Sequence, residues 1–356
     1  MSPQRRHASR LGIAAALLGA AIAAPSSAQT IDEFPIPTAA SKPQCIAPGS
    51  DGNLWFTETG ASKIGRITPD GVINEFTIHA SSGGLSLDVR CVAPGPDGNL
   101  WFTTSGPPGG RIGKITTGGA ITIYPHVFPG QLYAITAGPD GAMWFVETTA
   151  SLDNTIGRIT TTGEHTEYPL PNAGFLIVAS GITSGPDGNV WFAEAGVQEI
   201  GSITTDGATI TGYPTPGFFP SGITTGPDGA LWFTEGGAST GVARSTTGGE
   251  VTQFTVPSLP ANIVAGPDGA MWFTEGNKIG RLTIDGKHLA EITVPTGGSL
   301  PDGITSGPDG NLWFTEQTGN KIGRVNLVPT GSCGNGRGHT RPTEPPEIVT
   351  CVSQRP

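Results

Sequence analysis

Residues 301–324 read PDGITSGPDGNLWFTEQTGNKIGR, and the chain copies this stretch seven times. Its Asp-Gly-x-x-Trp core returns with tryptophan at 55, 101, 144, 191, 232, 272 and 313, which are all 7 tryptophans of the protein. Successive spacings are 46, 43, 47, 41, 40 and 41 residues. A period near 40 filled with short apolar runs and Asp-Gly turns marks a radial β-repeat. Seven similar units in 356 residues argue for one closed array rather than two ordinary domains.

Within a unit, four strands are expected. Strand a precedes the GPDG turn (GITSG, 303–307), and strand b is NLWFTE (311–316). Strand c is KIGR (321–324), and strand d ends in Glu-Phe or Glu-Tyr followed by an apolar residue. Repeat 6 gives the register, because only Gly276-Asn277 separates Glu275 from Lys278, a two-residue hairpin loop. Trp272 then faces Arg281 and Phe273 faces Gly280, so a bulky ring covers a residue with no side chain and an indole stacks on a guanidinium. The basic residue recurs as Arg66, Lys114, Arg158, Arg244, Arg281 and Arg324, with Ser202 in repeat 4.

Repeat 7 stops after strand c. Its missing strand stands at the other end, where Ile31–Pro37 (IDEFPIP) matches the d strands INEFTI (73–78) and HTEYPL (165–170). The expected fold is all-β: a seven-bladed β-propeller of four-stranded blades, over 29–328, whose ring the N-terminal strand 31–37 closes.

Residues 1–28 read as a signal peptide, with Arg5, Arg6 and Arg10 before the apolar run Leu11–Ala24 and small residues at Ser26-Ser27-Ala28. The run is shorter than the ~20 residues a membrane helix needs. The mature protein is therefore expected to be exported, periplasmic or extracellular, with no transmembrane segment. Cleavage takes Lys+Arg from 19 to 16 against 29 Asp+Glu. That acidic balance disfavours nucleic acid and anionic membranes and suits a cationic ligand or a divalent metal. Residues 329–356 read as a Gly/Pro-rich tail. Four cysteines in an exported chain suggest two disulfides; Cys45 and Cys91 share one position of repeats 1 and 2, so the pairing expected is 45–91 and 333–351.

One face should carry the ligand. The start of strand a, the end of strand b and the connections of variable length share it, and such loops on a rigid scaffold are where binding residues sit. At the mouth of the central channel the units carry Gln44, Arg90, Tyr133, Ser180, Ser221, Ala261 and Asp302. Three residues after each tryptophan stand Glu58, Thr104, Glu147, Glu194, Glu235, Glu275 and Glu316, an acidic collar. Its bland reading is local pairing, since Lys63, Lys278 and Lys321 sit opposite Glu58, Glu275 and Glu316; exposed pairs of that kind are worth about 0–1 kcal/mol. Its functional reading is a Mg2+ or Ca2+ site, with Glu316 and Asp302 as the best oxygen ligands and Glu275 as a third. Phe128, Phe175, Phe218 and Phe219 are candidate loop contacts. His79 and His126 fall at d-strand ends on the ligand side, His165 and His288 at d-strand starts on the far side. No Ser-His-Asp order, zinc spacing or phosphate loop is present.

The repeat GPDGNLWFTE…KIGRIT…DG…EF is very similar to that of the streptogramin B lyase (virginiamycin B lyase) family, across residues 31–328. The resemblance implies a seven-bladed propeller and a reaction that opens a cyclic depsipeptide by elimination, with a base removing a Cα proton and Mg2+ polarising the substrate. It places catalytic histidines in Pro-His-(Ala/Gly)-Ile segments, which here read Pro260-Ala261-Asn262-Ile263 and Pro301-Asp302-Gly303-Ile304. A family glutamate falls on Leu300, and the one after Trp-Phe-x is retained as Glu316. The reading favoured is an exported monomeric propeller binding a small-molecule or peptide-like ligand on its acidic loop face, with a degraded catalytic site and no organic cofactor. The alternatives are a metal-dependent lyase with Glu316 and Asp302 as catalytic residues, and a metal-dependent lactonase.

Overall fold

The computed structural model describes residues 29–79, 87–149, 154–171, 181–215, 218–237 and 240–327. The signal peptide, Ser180, Phe175 and the Cys333–Cys351 pairing lie outside them. Seven antiparallel sheets of four strands each form the blades. Blade 1 runs Pro43–Pro48, Leu54–Glu58, Lys63–Ile67 and Ile73–Thr77 as strands a to d. Blade 7 takes Pro301–Ser306, Leu312–Glu316 and Lys321–Asn326 from the C-terminal end and Thr30–Pro35 from the N-terminal end. That closing strand pairs antiparallel in the register Ile31↔Val325 and Phe34↔Ile322. The ring is shut by the chain's own beginning, one residue earlier than the sequence match suggests.

The register within blades is the one the two-residue hairpin dictates. Trp272 faces Arg281 and Phe273 faces Gly280, and the same pairs recur as Trp55↔Arg66 and Phe56↔Gly65. A Cβ added to Gly65 would lie 2.0 Å from Phe56 Cζ, so that ring needs glycine beneath it. Blade 5 alone departs here, with Ala243 under Phe233. Each indole has a second partner that spacing does not reveal: its N–H donates to the aspartate of the GPDG turn, 3.0 Å for Trp144→Asp140 and for Trp272→Asp268. The other oxygen of that aspartate takes the strand-c cation, 2.6 Å for Arg158 on Asp140. Burial pulls the Asp140 carboxyl upward, but the hydrogen bonds from Trp144 and Arg158 outweigh it and hold its pKa below the usual value.

Apolar side chains pack between blades. Trp55 and Ile64 of blade 1 meet Val92, Leu100, Phe102 and Ile115 of blade 2, and comparable clusters fill the other clefts. The tryptophans are fully buried, so the seven clefts are the core of the protein.

Candidate functional site

Strand a is irregular in the same way in six blades. Its register against strand b slips between Pro43 and Ile46, Val89 and Val92, Leu132 and Ile135, Pro220 and Ile223, Pro260 and Ile263, and Pro301 and Ile304. Each slip is a β-bulge that leaves two residues out of the ladder and re-aims them. Those residues line one central cavity of about 270 Å³: Gln44 and Cys45, Arg90 and Cys91, Tyr133 and Ala134, Ser221, Ala261 and Asn262, and Asp302 and Gly303. All the described residues expected at the channel mouth are therefore brought together.

The bulges free backbone groups that need partners. A strand-b threonine supplies them across the blade boundary. Thr57 Oγ1 accepts from the Cys45 amide at 3.0 Å and donates to the Arg90 carbonyl of the next blade at 3.1 Å. Thr274 does the same for the Asn262 amide and the Asp302 carbonyl, at 3.1 and 2.8 Å. Thr103, Thr234 and Thr315 hold Tyr133, Ala261 and Gln44 in the same manner. A disulfide joins Cys45 to Cys91 with their Cα atoms 5.0 Å apart, tying the bulges of blades 1 and 2 into one wall of the cavity.

Around the cavity the polar groups are unlike one another. The Arg90 guanidinium lies 6.0 Å from the Tyr133 ring centroid, and Asp88 stands 3.8 Å behind it. Across the mouth, Asn262 Nδ2 donates to Asp302 Oδ1 at 2.8 Å. Burial pushes the Asp302 carboxyl up to about 6, against the pull of that hydrogen bond. Asn262 was not anticipated, although it stands next to Ala261 in the same bulge.

The glutamates behave differently from the expected collar. Glu58, Glu147, Glu235, Glu275 and Glu316 have no exposed surface and Glu194 has 2%, and none of them lines the cavity. Glu194 and Glu275 lie beside the strand-c glycines Gly201 and Gly280, Glu147 beside Gly130 and Glu316 beside Gly319. The opposed lysines do not neutralise them either. Lys63 reaches Glu75 at 2.9 Å, Lys321 reaches Glu33 at 2.5 Å and Lys278 bonds Glu291, each a glutamate of strand d. Register gave the Cα pairs correctly, but the long lysine stem leans diagonally to the more accessible carboxylate.

Left with few donors, the inner glutamates have pKa values above the usual 4.5. Burial, helped by the charge of Glu75, pushes Glu58 up to about 8. Burial likewise pushes Glu194, Glu235, Glu275 and Glu316 up to about 7. Glu147 is also raised by burial, although the Gly130 amide and Thr155 hydroxyl bond its carboxylate at 2.6 and 3.1 Å. At Glu58, Glu235 and Glu316 both oxygens are buried without a hydrogen-bond partner.

For the expected metal set, Asp302 lines the cavity, while Glu316 lies toward Gly319, Lys321 and Glu33. Glu275 groups instead with His288 and Glu291, one ligand atom from each lying within 4.8 Å of the others. Among the described residues, no group of three ligands contains Asp302. The histidine placement also differs: His126 and His165, expected on opposite sides, have ring centroids 3.9 Å apart. Phe128, read as a loop contact, is 1% exposed and part of the core; Phe219 is the exposed one at 44%.

Comparison with known proteins adds the following. A profile of the Virginiamycin B lyase family matches residues 15–218, 82–257 and 176–332. A solved streptogramin B lyase is 37% identical, superposes with a TM-score of 0.75, and aligns over 84% of this chain and 98% of its own. A catalytically inactive histidine-to-alanine variant of virginiamycin B lyase from Staphylococcus aureus, solved with quinupristin, is 36% identical with a TM-score of 0.75, over 85% and 100% of the two chains. Hydrazine synthase of Kuenenia stuttgartiensis, at 14% identity and a TM-score of 0.66 over 82% and 97%, shares the fold alone.

Proposed function

The chain belongs to the virginiamycin B lyase family, and from that premise we propose that it is an exported, monomeric propeller that binds a peptide-like cyclic ligand over its central cavity without the family's histidine chemistry. One observation carries the reading. Both positions at which the family resemblance expects histidine line the cavity, and they hold Ala261 and Asp302. Alanine has no proton to take or give. The relative solved with quinupristin is named as inactive with a histidine-to-alanine change, which fits this weighting.

Recognition groups remain in place. The Arg90–Tyr133 pair offers a flat cationic and aromatic platform, and the Asp302–Asn262 pair offers an acceptor and a donor opposite it. The cavity of about 270 Å³ is below the ~300–1,000 Å³ that encloses a drug-sized molecule. A depsipeptide ring would rest across the mouth and insert one substituent. The ring is closed by its own first strand, so no partner chain is needed to complete a blade.

A second reading is favoured by the Asp302 carboxyl. Raised to about 6, it is close enough to neutrality to accept a Cα proton as a general base while the ester carboxylate departs. The family's Mg2+ would supply polarisation of the substrate. The described residues offer it Asp302 without a second carboxylate at the cavity, so they fit that ion poorly and no step is routed through it.

Quinupristin incubated with the mature protein, with Mg2+ and with EDTA, separates these readings. Saturable binding by calorimetry with the compound recovered intact supports the binding propeller. A Mg2+-dependent product of unchanged mass establishes the lyase, and a product heavier by one water establishes a lactonase. No binding and no product overturns all three.

A further inference from the structure

We propose that the cleft between blades 2 and 3 holds a divalent transition metal of the zinc class, on His126, His165 and Glu167. Nitrogen and carboxylate ligands in this ratio suit such an ion rather than Mg2+ or Ca2+. One ligand atom from each residue lies within 4.8 Å of the other two. His126 Nε2 stands 3.8 Å from Glu167 Oε1, too far for a hydrogen bond, and it is sealed from solvent without a hydrogen-bond partner. Bonds of ~2.0–2.1 Å in a tetrahedron set ligand atoms ~3.3–3.4 Å apart, so a small ring rotation closes the set.

Three departures from the repeat coincide here. The first is an insertion in blade 2. In blades 1, 3 and 6 an apolar residue ends strand d by bonding the carbonyl at the start of strand c: Ile78 to Ser62, Leu170 to Asn154, Val294 to Asn277. Ile78 follows the strand-d aromatic Phe76 by two residues, and Leu170 follows Tyr168 by two. In blade 2 Phe128 makes that bond, to Gly110, but four residues after Tyr124. The two extra residues loop His126 out over blade 3. Phe128 forms the floor beneath it, with its ring edge-on at 4.5 Å from His126 and 5.6 Å from His165.

The second is a missing cation. Glu75, Glu291 and Glu33 each take a lysine from the start of strand c. In blade 3 Thr155 occupies the lysine position and bonds Glu147 instead. Glu167 therefore lacks the cation its equivalents have, and it lies against buried Glu147, whose pKa its charge helps to raise. The third is the histidine pair itself, whose rings lie 3.9 Å apart between centroids at an interplanar angle of 33°. An ion here would supply the positive charge that lysine supplies elsewhere. The Glu275, His288 and Glu291 group lacks this argument, because Lys278 already serves Glu291.

The test is a Co2+ titration of the untagged mature protein followed by visible absorption, with Zn2+ as competitor and thermal melts in parallel. Expected are ligand-field bands saturating at one Co2+ per chain, displaced by Zn2+, and a melting temperature that rises with Zn2+. H126A, H165A and the conservative E167Q should each weaken uptake by more than about tenfold, while H288A binds as wild type does. The proposal is overturned if wild type takes up no Co2+, or if the double variant H126A/H165A, shown folded by circular dichroism, retains the bands.

Discussion

Asn262 of blade 6 donates its side-chain N–H to the carboxylate of Asp302 in the neighbouring blade 7 at 2.8 Å, along the rim of the central cavity. This bond opposes the burial that raises the Asp302 pKa to about 6. Because the folded value exceeds the ordinary 3.8, Asp302 contributes stability that is full below pH 4 and is lost as pH rises through 6. Asp302→Asn should remove that dependence and gain on the order of 1–2 kcal/mol over wild type at pH 7, allowing for water at the mouth. Asn262→Ala should raise the Asp302 pKa further, which side-chain carboxyl NMR would read directly.

The inner glutamates make a broader prediction of the same sign. Glu58, near 8, and Glu194, Glu235, Glu275 and Glu316, near 7, are raised from 4.5. Their contribution is complete below about pH 4.5 and lost as pH climbs through 7 to 8. Glu235→Gln should leave the melting temperature unchanged at pH 4.5 and raise it at pH 8.5, by on the order of 2 kcal/mol of stability. Equal melting curves at pH 8.5 would show that Glu235 is charged and served by solvent.

Phe34 tests the ring closure. It stacks on Trp313 with centroids 5.4 Å apart and lies under Arg324. Phe34→Ala should cost roughly 2–3 kcal/mol, less than the ~3–5 kcal/mol of a fully buried aromatic truncation, since the ring is half-buried. A chain lacking residues 29–37 should lose far more, because blade 7 then ends in an open edge. Unchanged denaturant midpoints in both would mean that the ring does not depend on this strand.

The two histidine positions can be refilled. If the binding reading is right, wild type leaves quinupristin intact and the double substitution Ala261→His with Asp302→His creates turnover to a product of the same mass. Turnover by wild type that Asp302→Asn abolishes would transfer the role of base to Asp302.

Much of this molecule could be read before any coordinates. Glu275-Gly-Asn-Lys278 leaves room for only one hairpin, so Trp272↔Arg281 and Phe273↔Gly280 follow, and IDEFPIP announces itself as a strand d. The channel mouth was legible because repeat phase alone aligns Gln44 with Arg90, Tyr133 and Asp302. Lateral reach was not legible. Pairing of Glu58 with Lys63 in the ladder says nothing of a lysine that leans to Glu75. Nor does a two-residue insertion after Tyr124 say which way His126 will swing. Such outcomes depend on neighbours in the adjacent blade, and strand patterning carries no signal for them.

The threonines of strand b have one more implication. Thr57, Thr103, Thr234, Thr274 and Thr315 grip Arg90, Tyr133, Ala261, Asp302 and Gln44 by their carbonyl oxygens, never by their side chains. A position clasped through its main chain is indifferent to what it displays. Five sockets of this kind stand around one opening, and the threonine bond at each is independent of the side chain shown there. Histidine, alanine or aspartate fit the same mount, so a lineage can exchange one chemistry for another at the rim while the wheel beneath stays unchanged.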